Sequence, residues 1–138
     1  MAVLVSDELL KRVIEFHGHL GPFLVLGLKA GLVANSLLGK DCFKTTAIVT
    51  TDISPPSSCL VDGVQFVTGC TMGKGNIKLR RSKNSPTILF LKEGKKIQLR
   101  LKKNIWDIIL NAASEEDSQK LALELLRKPT SELFKVEE

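Results

Sequence analysis

The chain has 138 residues and a formal charge of +5, with 43% hydrophobic and 25% charged residues. That length fits one domain, and that composition excludes intrinsic disorder, collagen and coiled coil. No apolar run reaches the ~18 residues of a membrane span, Met1–Ser6 lacks the basic residue of a secretory signal, and three cysteines are too few for a disulfide framework, so a reducing cytoplasmic setting is expected.

The first predicted element is a helix. Ser6 is its N-cap, and Asp7 and Glu8 place negative charge in its first turn. Leu9, Leu10, Val13 and Ile14 recur at helical spacing, and the helix should end near Phe16 or His17, ahead of Gly18 and Pro22. Pro22 suits the opening turn of a second helix running to about Leu38 and closed by Gly39. That helix is apolar nearly all round, and Gly27, Ala30, Gly31 and Ala34 give it a smooth stripe for close approach. Thr45–Ile53, rich in Thr, Val and Ile, reads as a strand. Residues 54–58 are a loop. Cys59–Thr68 has the valines of a strand, but Leu60, Val61, Val64 and Val67 suit one helical face, and helix is preferred. After a glycine-rich loop, Ile77–Arg81, Thr87–Leu91 and Lys96–Leu101 read as three strands of an antiparallel meander. Ile105–Ala113 and Glu115–Lys128 read as helices, stopped at Pro129. The expected architecture is α+β: N-terminal helices on a mostly antiparallel sheet, a helical C-terminus, and residues 130–138 as a peripheral tail of one domain covering 1–138.

Three segments carry chemistry. His17-Gly18-His19 holds the only two histidines, two apart at a helix junction, where both imidazoles can face one point. Cys59, at the start of a helix, would have its thiolate stabilised by free N–H groups. Asp62 and Gln65 follow on roughly the same face and could orient ligands or a bound water. In the loop Gly69–Asn76, three glycines free backbone N–H groups to form an anion nest, with Cys70, Thr71 and Lys74 alongside. The spacing matches neither a Walker loop, a zinc ribbon nor a zincin. Each segment also has a plain structural reading: surface histidines, an inert helical cysteine and a tight turn. Cys42 reads as structural.

Taken together, these segments resemble the E-type family of formylmethanofuran dehydrogenase subunits. The family's His-Gly-His-x-Cys-Pro-Gly is similar to residues 17–23. Its Cys-x-x-Asp-Ala-Val-Gln and Thr-Gly-Cys-Thr-x-Gly-Lys-Gly-Asn are similar to 59–65 and 68–76. The resemblance covers roughly residues 5–105. It implies an α+β core, commonly dimeric, with a metal-binding cleft near the His-x-His and Cys motifs, and association with a larger oxidoreductase complex. Gly21 stands where the family usually has cysteine, and Phe23 where it has glycine. No cysteine follows Cys70, so the C-terminal zinc ribbon of many members is absent from the given sequence.

Three functional readings follow. In the first, His17, His19, Cys59 and Cys70 hold zinc or another divalent transition metal. Four ligands would make the site structural. Three would leave a water position for catalysis, with Cys59 and Asp62 as catalytic residues and Gln65 or Lys74 steadying negative charge. In the second, Gln65, Thr71 and Lys74 belong to a non-catalytic module that binds an anionic cofactor through the glycine loop. In the third, the basic meander from Lys74 to Lys103 binds nucleic acid. Six Phe, one Trp and no Tyr leave little to stack on bases, so a solvated sheet face is the better account. A homodimer is expected, because the Gly27/Gly31 helix and an open sheet edge leave apolar surface to cover.

Overall fold

A computed structural model describes residues 3–112 and 114–138. The end of the helix expected at Ile105–Ala113 lies partly outside them. Helix α1 (Asp7–His17) begins as its sequence requires: the Ser6 hydroxyl accepts a hydrogen bond from the Leu9 N–H at 3.1 Å. Helix α2 (Pro22–Leu38) has Pro22 in its first turn and is buried along most of its length. Strand β1 (Thr46–Thr51) alternates half-buried and buried side chains. Helix α3 (Cys59–Thr68) takes the helical option. Strands β2 (Ile77–Arg81), β3 (Thr87–Lys92) and β4 (Lys95–Leu101) follow, then helices α4 (Lys103–Leu110), α5 (Glu115–Arg127) and the single turn α6 (Thr130–Leu133), and finally strand β5 (Phe134–Glu137). The fold is α+β.

The sheet order is β2-β1-β3-β4-β5. The expected three-strand meander is corrected here. β3 and β4 form an antiparallel hairpin, but β2 does not join β3. It lies parallel to β1, with Ala47 opposite Ile77 and Thr51 opposite Arg81. The reason is topological: α3 carries the chain back across the sheet, and a strand–helix–strand crossover makes parallel neighbours. β2 is therefore an edge, and its exposed Lys78, Arg80 and Arg81 are charges of the kind that discourage edge pairing.

The expected peripheral tail is also corrected. Thr130, Leu133 and Phe134 are buried, and β5 extends the sheet on β4, pairing Leu101 with Phe134 and Gln98 with Glu137. Pro129 ends α5 as expected, but the apolar residues beyond it bury themselves on the next free sheet edge.

One face of the sheet, carrying Ala47, Val49, Ile88, Phe90, Ile97 and Leu99, contributes to the main core together with α2 residues such as Val25, Leu26 and Val33. α1 packs through Val13 on Leu24, Leu28 and Val67. Between α2 and α3 the backbones nearly touch. A Cβ at Gly63 would lie 2.5 Å from both the Leu24 carbonyl oxygen and the Leu28 nitrogen, and one at Gly27 would overlap the Leu60 carbonyl.

Lys29 of α2 is buried, and its ammonium donates to the carbonyls of Leu126 (2.9 Å), Leu125 (3.3 Å) and Lys128 at the C-terminal end of α5. It satisfies carbonyls that a helix end leaves without partners, although burial pushes its own pKa down. Lys29→Met keeps the stem and removes the ammonium donor from the Leu126 and Lys128 carbonyls, while Leu125 keeps the Lys128 N–H. Chemical denaturation should show a loss of about 2 kcal/mol, and a loss below ~0.5 kcal/mol would refute this capping role.

Candidate metal centre

One helix end and two helix starts build the site. α1 stops at His17 because Gly18 adopts φ +112° and returns its N–H to the Ile14 carbonyl at 2.7 Å. A residue bearing a Cβ is strained in that conformation. The chain then turns through His19 and re-enters helix at Pro22. α3 lies across α2 at the glycine contact, which brings Cys59, its first residue, to this turn. One ligand atom each from His17, His19 and Cys59 lies within 4.8 Å of the others. The two imidazole centroids are 4.6 Å apart.

Asp62, one turn along α3 from Cys59, sets the orientation of His17. The His17 Nδ1–H donates to Asp62 Oδ2 at 2.6 Å, which assigns the proton to Nδ1 and leaves Nε2 as the free lone pair. Gln65 donates from Nε2 to Asp62 Oδ1 at 3.4 Å and accepts the Met72 N–H on Oε1 at 2.9 Å. The glycine loop thus fixes Gln65, Gln65 supports Asp62, and Asp62 holds His17. His17 Nε2 is buried with no hydrogen-bond partner among the described residues, and the side chain is only 9% exposed.

The donor set fits a metal ion. Tetrahedral zinc with bonds of about 2.0 Å to nitrogen and 2.3 Å to sulfur places two nitrogens and one sulfur ~3.3–3.5 Å apart. The observed donors lie within 4.8 Å of one another, a span somewhat wider than that spacing. His17 also has the carboxylate partner on its second nitrogen that metal-bound histidines commonly have.

Cys70 is not in the cluster. It sits just beyond the opposite end of α3, about 15 Å away along a ten-residue helix. It is buried, its thiol donating to the Thr45 carbonyl at 3.3 Å. The Cys59 thiolate gains little from helix N–H groups: its own N–H favours it, but as the smallest of the influences on its pKa. The N–H groups of Cys59, Leu60 and Val61 already bond to the carbonyls of Pro56, Ser57 and Ser58 at 3.0–3.2 Å. Burial, and then the Asp62 charge, push the Cys59 pKa up, so without a metal the thiol stays protonated at neutral pH.

The glycine loop is not an open anion nest. The Thr71 N–H is bonded to Asn76 Oδ1, Met72 to Gln65, Lys74 to Thr71 Oγ1, and Gly75 to the Thr71 and Met72 carbonyls. Lys74 Nζ bonds Thr71 Oγ1 at 3.1 Å and lies 5.8 Å from the Phe43 ring centroid.

Beside His19 and Cys59 is a cavity of about 210 Å³, walled also by the first turn of α2 and by Glu115 and Ser118 of α5. No sequence signal marks these last two, which lie well outside every motif. Neither Thr71 nor Lys74 borders this cavity.

A family model described as FmdE, molybdenum formylmethanofuran dehydrogenase operon, matches residues 16–135. The chain belongs to the FmdE family. The match includes His17, His19, Cys59 and Asp62 and runs into β5, further than the motif resemblance reached. A probable S-adenosyl-L-methionine-binding protein of Archaeoglobus fulgidus is 38% identical over 95 residues, which make up 67% of this chain and 26% of that protein. The chain therefore spans about a quarter of that relative's length. In this FmdE chain a Cβ at Gly21 would stand 3.6 Å from His19 Nε2. The missing side chain leaves space directly against the cluster. Among the described residues, no helix is long and apolar enough to cross a membrane.

Proposed function

We propose that this chain holds one divalent transition-metal ion on His17 Nε2, His19 and the Cys59 thiolate, with zinc the metal such mixed imidazole–thiolate donors ordinarily take. The observation that carries this reading is His17 Nε2: buried, partnerless, oriented by Asp62 and grouped with two other ligand side chains. A buried polar atom without a partner costs about 1–3 kcal/mol, and a metal–nitrogen bond would remove that cost. Three protein ligands leave a fourth position for water or substrate, the pattern of catalytic rather than structural zinc. An ion there would act as a Lewis acid on whatever occupies that position. Asp62, paired with His17, serves as an orienting group in this reading rather than as a general base. Thiol redox chemistry has less support, because Cys42, Cys59 and Cys70 are all free and Cys59 is the only sulfur in the cluster. The nucleic-acid and glycine-loop readings gain no support, because β2's charges sit on an edge and the loop's N–H groups are largely occupied.

Metal analysis of the purified protein is the direct test. Wild type should carry one equivalent and Cys59→Ser far less, whereas equal contents would overturn the assignment. Binding must also displace the thiol proton. Apparent affinity should then rise about tenfold per pH unit through neutrality, and a flat profile would exclude Cys59 as a ligand.

A further inference from the structure

The cavity beside the cluster has features that restrict what could fill it. Its inner wall is His19 and Cys59, and the slot above Gly21 opens 3.6 Å from His19 Nε2. The first turn of α2 forms a second wall. Gly21 offers no side chain to cap that helix, so the N–H groups of Phe23 and Leu24 lack a side-chain acceptor. A 17-residue helix presents partial positive charge at that end. The sign of a ligand beyond the helix end is that two of the three candidate metal donors, His19 and Cys59, line this same cavity, in a donor set one short of tetrahedral. At the outer wall Glu115 supplies the opposite charge, beside the Ser118 hydroxyl. The volume, about 210 Å³, falls below the ~300–1,000 Å³ of pockets for drug-sized ligands.

We propose that this cavity binds a small monocarboxylate, its carboxylate taking the fourth metal position in the slot above Gly21 and its far end, neutral or cationic, facing Glu115 and Ser118. This rests on the metal-centre reading. The α2 N-terminus and the metal ion attract the carboxylate, the walls of Leu20, Pro22 and Phe23 accommodate an aliphatic body, and Glu115 repels a second negative charge.

The test uses the full chain loaded with Co²⁺, whose visible absorption reports the coordination sphere, titrated with butyrate, 4-aminobutyrate, butyramide and succinate. Butyrate and 4-aminobutyrate should give saturable spectral changes. Butyramide, lacking the charge, and succinate, carrying a second one, should bind at least about tenfold more weakly. Glu115→Gln should restore succinate to near the butyrate affinity. Gly21 has φ −148°, extended backbone open to any residue, and only ordinary contacts around its Cβ. Gly21→Cys should therefore fold, keep cobalt and lose the butyrate response, because its thiol fills the slot. A wild type that takes up no cobalt would overturn the metal centre and this inference with it. Cobalt-loaded protein that no carboxylate perturbs, or that responds equally to butyramide, would overturn the inference alone. Succinate binding as tightly as butyrate in wild type would refute the role of Glu115.

Discussion

Replacing His17 by alanine should weaken metal binding by about two to three decades. Four-ligand structural zinc sites bind with roughly 10–16 kcal/mol, or about 2.5–4 kcal/mol per ligand, and His17 is the most buried and best oriented nitrogen of the three-ligand group. Asp62 acts one step back, and its loss should cost ~10–100-fold. Asp62→Asn keeps an oxygen that can accept the His17 Nδ1–H, so it should fall at the mild end and Asp62→Ala at the severe end. The asparagine has a second, opposite effect. The Asp62 charge helps keep the Cys59 thiol protonated, so metal-free Asp62→Asn should alkylate faster at neutral pH than wild type while binding metal less well. Competition against a chromophoric chelator measures the first effect and a thiol-alkylation rate the second. A merely structural aspartate would change neither in that paired way. Unchanged affinity in His17→Ala would remove the centre.

Gly63→Ala should be among the most damaging single-methyl changes in the molecule. Its Cβ would meet the Leu24 carbonyl oxygen and the Leu28 nitrogen, each at 2.5 Å. Backbone atoms inside a buried helix cannot rotate aside as a side-chain tip can. Overpacking typically costs ~1–3 kcal/mol and sometimes more, and with backbone on both sides about 3 kcal/mol or more is expected, out of a total near 5–15 kcal/mol. Gly27→Ala should behave alike, since it meets the Leu60 carbonyl from the other side of the same contact. Because that contact docks the start of α3 against α2, these variants should lose metal along with stability. Gly73→Ala, with nothing within 4 Å of its Cβ, is the control and should stay within ~0.5 kcal/mol of wild type. A Gly63→Ala protein as stable as this control would show that the helices have room to separate.

Local signals and long-range contacts divided the work differently for different residues. The bounds of α1, α2 and α3 were legible because caps and breakers act within a few residues: Ser6 bonds Leu9, Gly18 ends one helix, and Pro22 starts the next. The partner of β2 was not legible. Its residues would suit the edge of either neighbour, and the choice of β1 depends on where α3 crosses. The fate of residues 130–138 was hidden for a similar reason: Leu133 and Phe134 bury themselves only because β4 offers an edge. At the site, pairing His17 with His19 needed only their spacing. Joining Cys59 to them, and excluding Cys70, depended on which end of α3 meets the turn after α1. The expected nest at residues 69–76 misread the loop because side chains from outside and within it, Gln65, Thr71 and Asn76, take up its donors.

The sequence alone determined the inventory: an α+β fold with an aliphatic core, two histidines at a helix junction, a cysteine at a helix start, and a stripe of small residues on α2 that lets a neighbour approach closely. Those are consequences of side-chain chemistry and of hydrogen bonds spanning three or four residues, which any stretch of chain carries with it. Only the tertiary structure decided which sulfur reaches the imidazoles, that Asp62 holds His17, and that Glu115 faces the cavity. Those outcomes depend on how α2, α3 and α5 pack, and contacts between residues far apart in the chain are set by the shape of the whole core rather than by any local pattern.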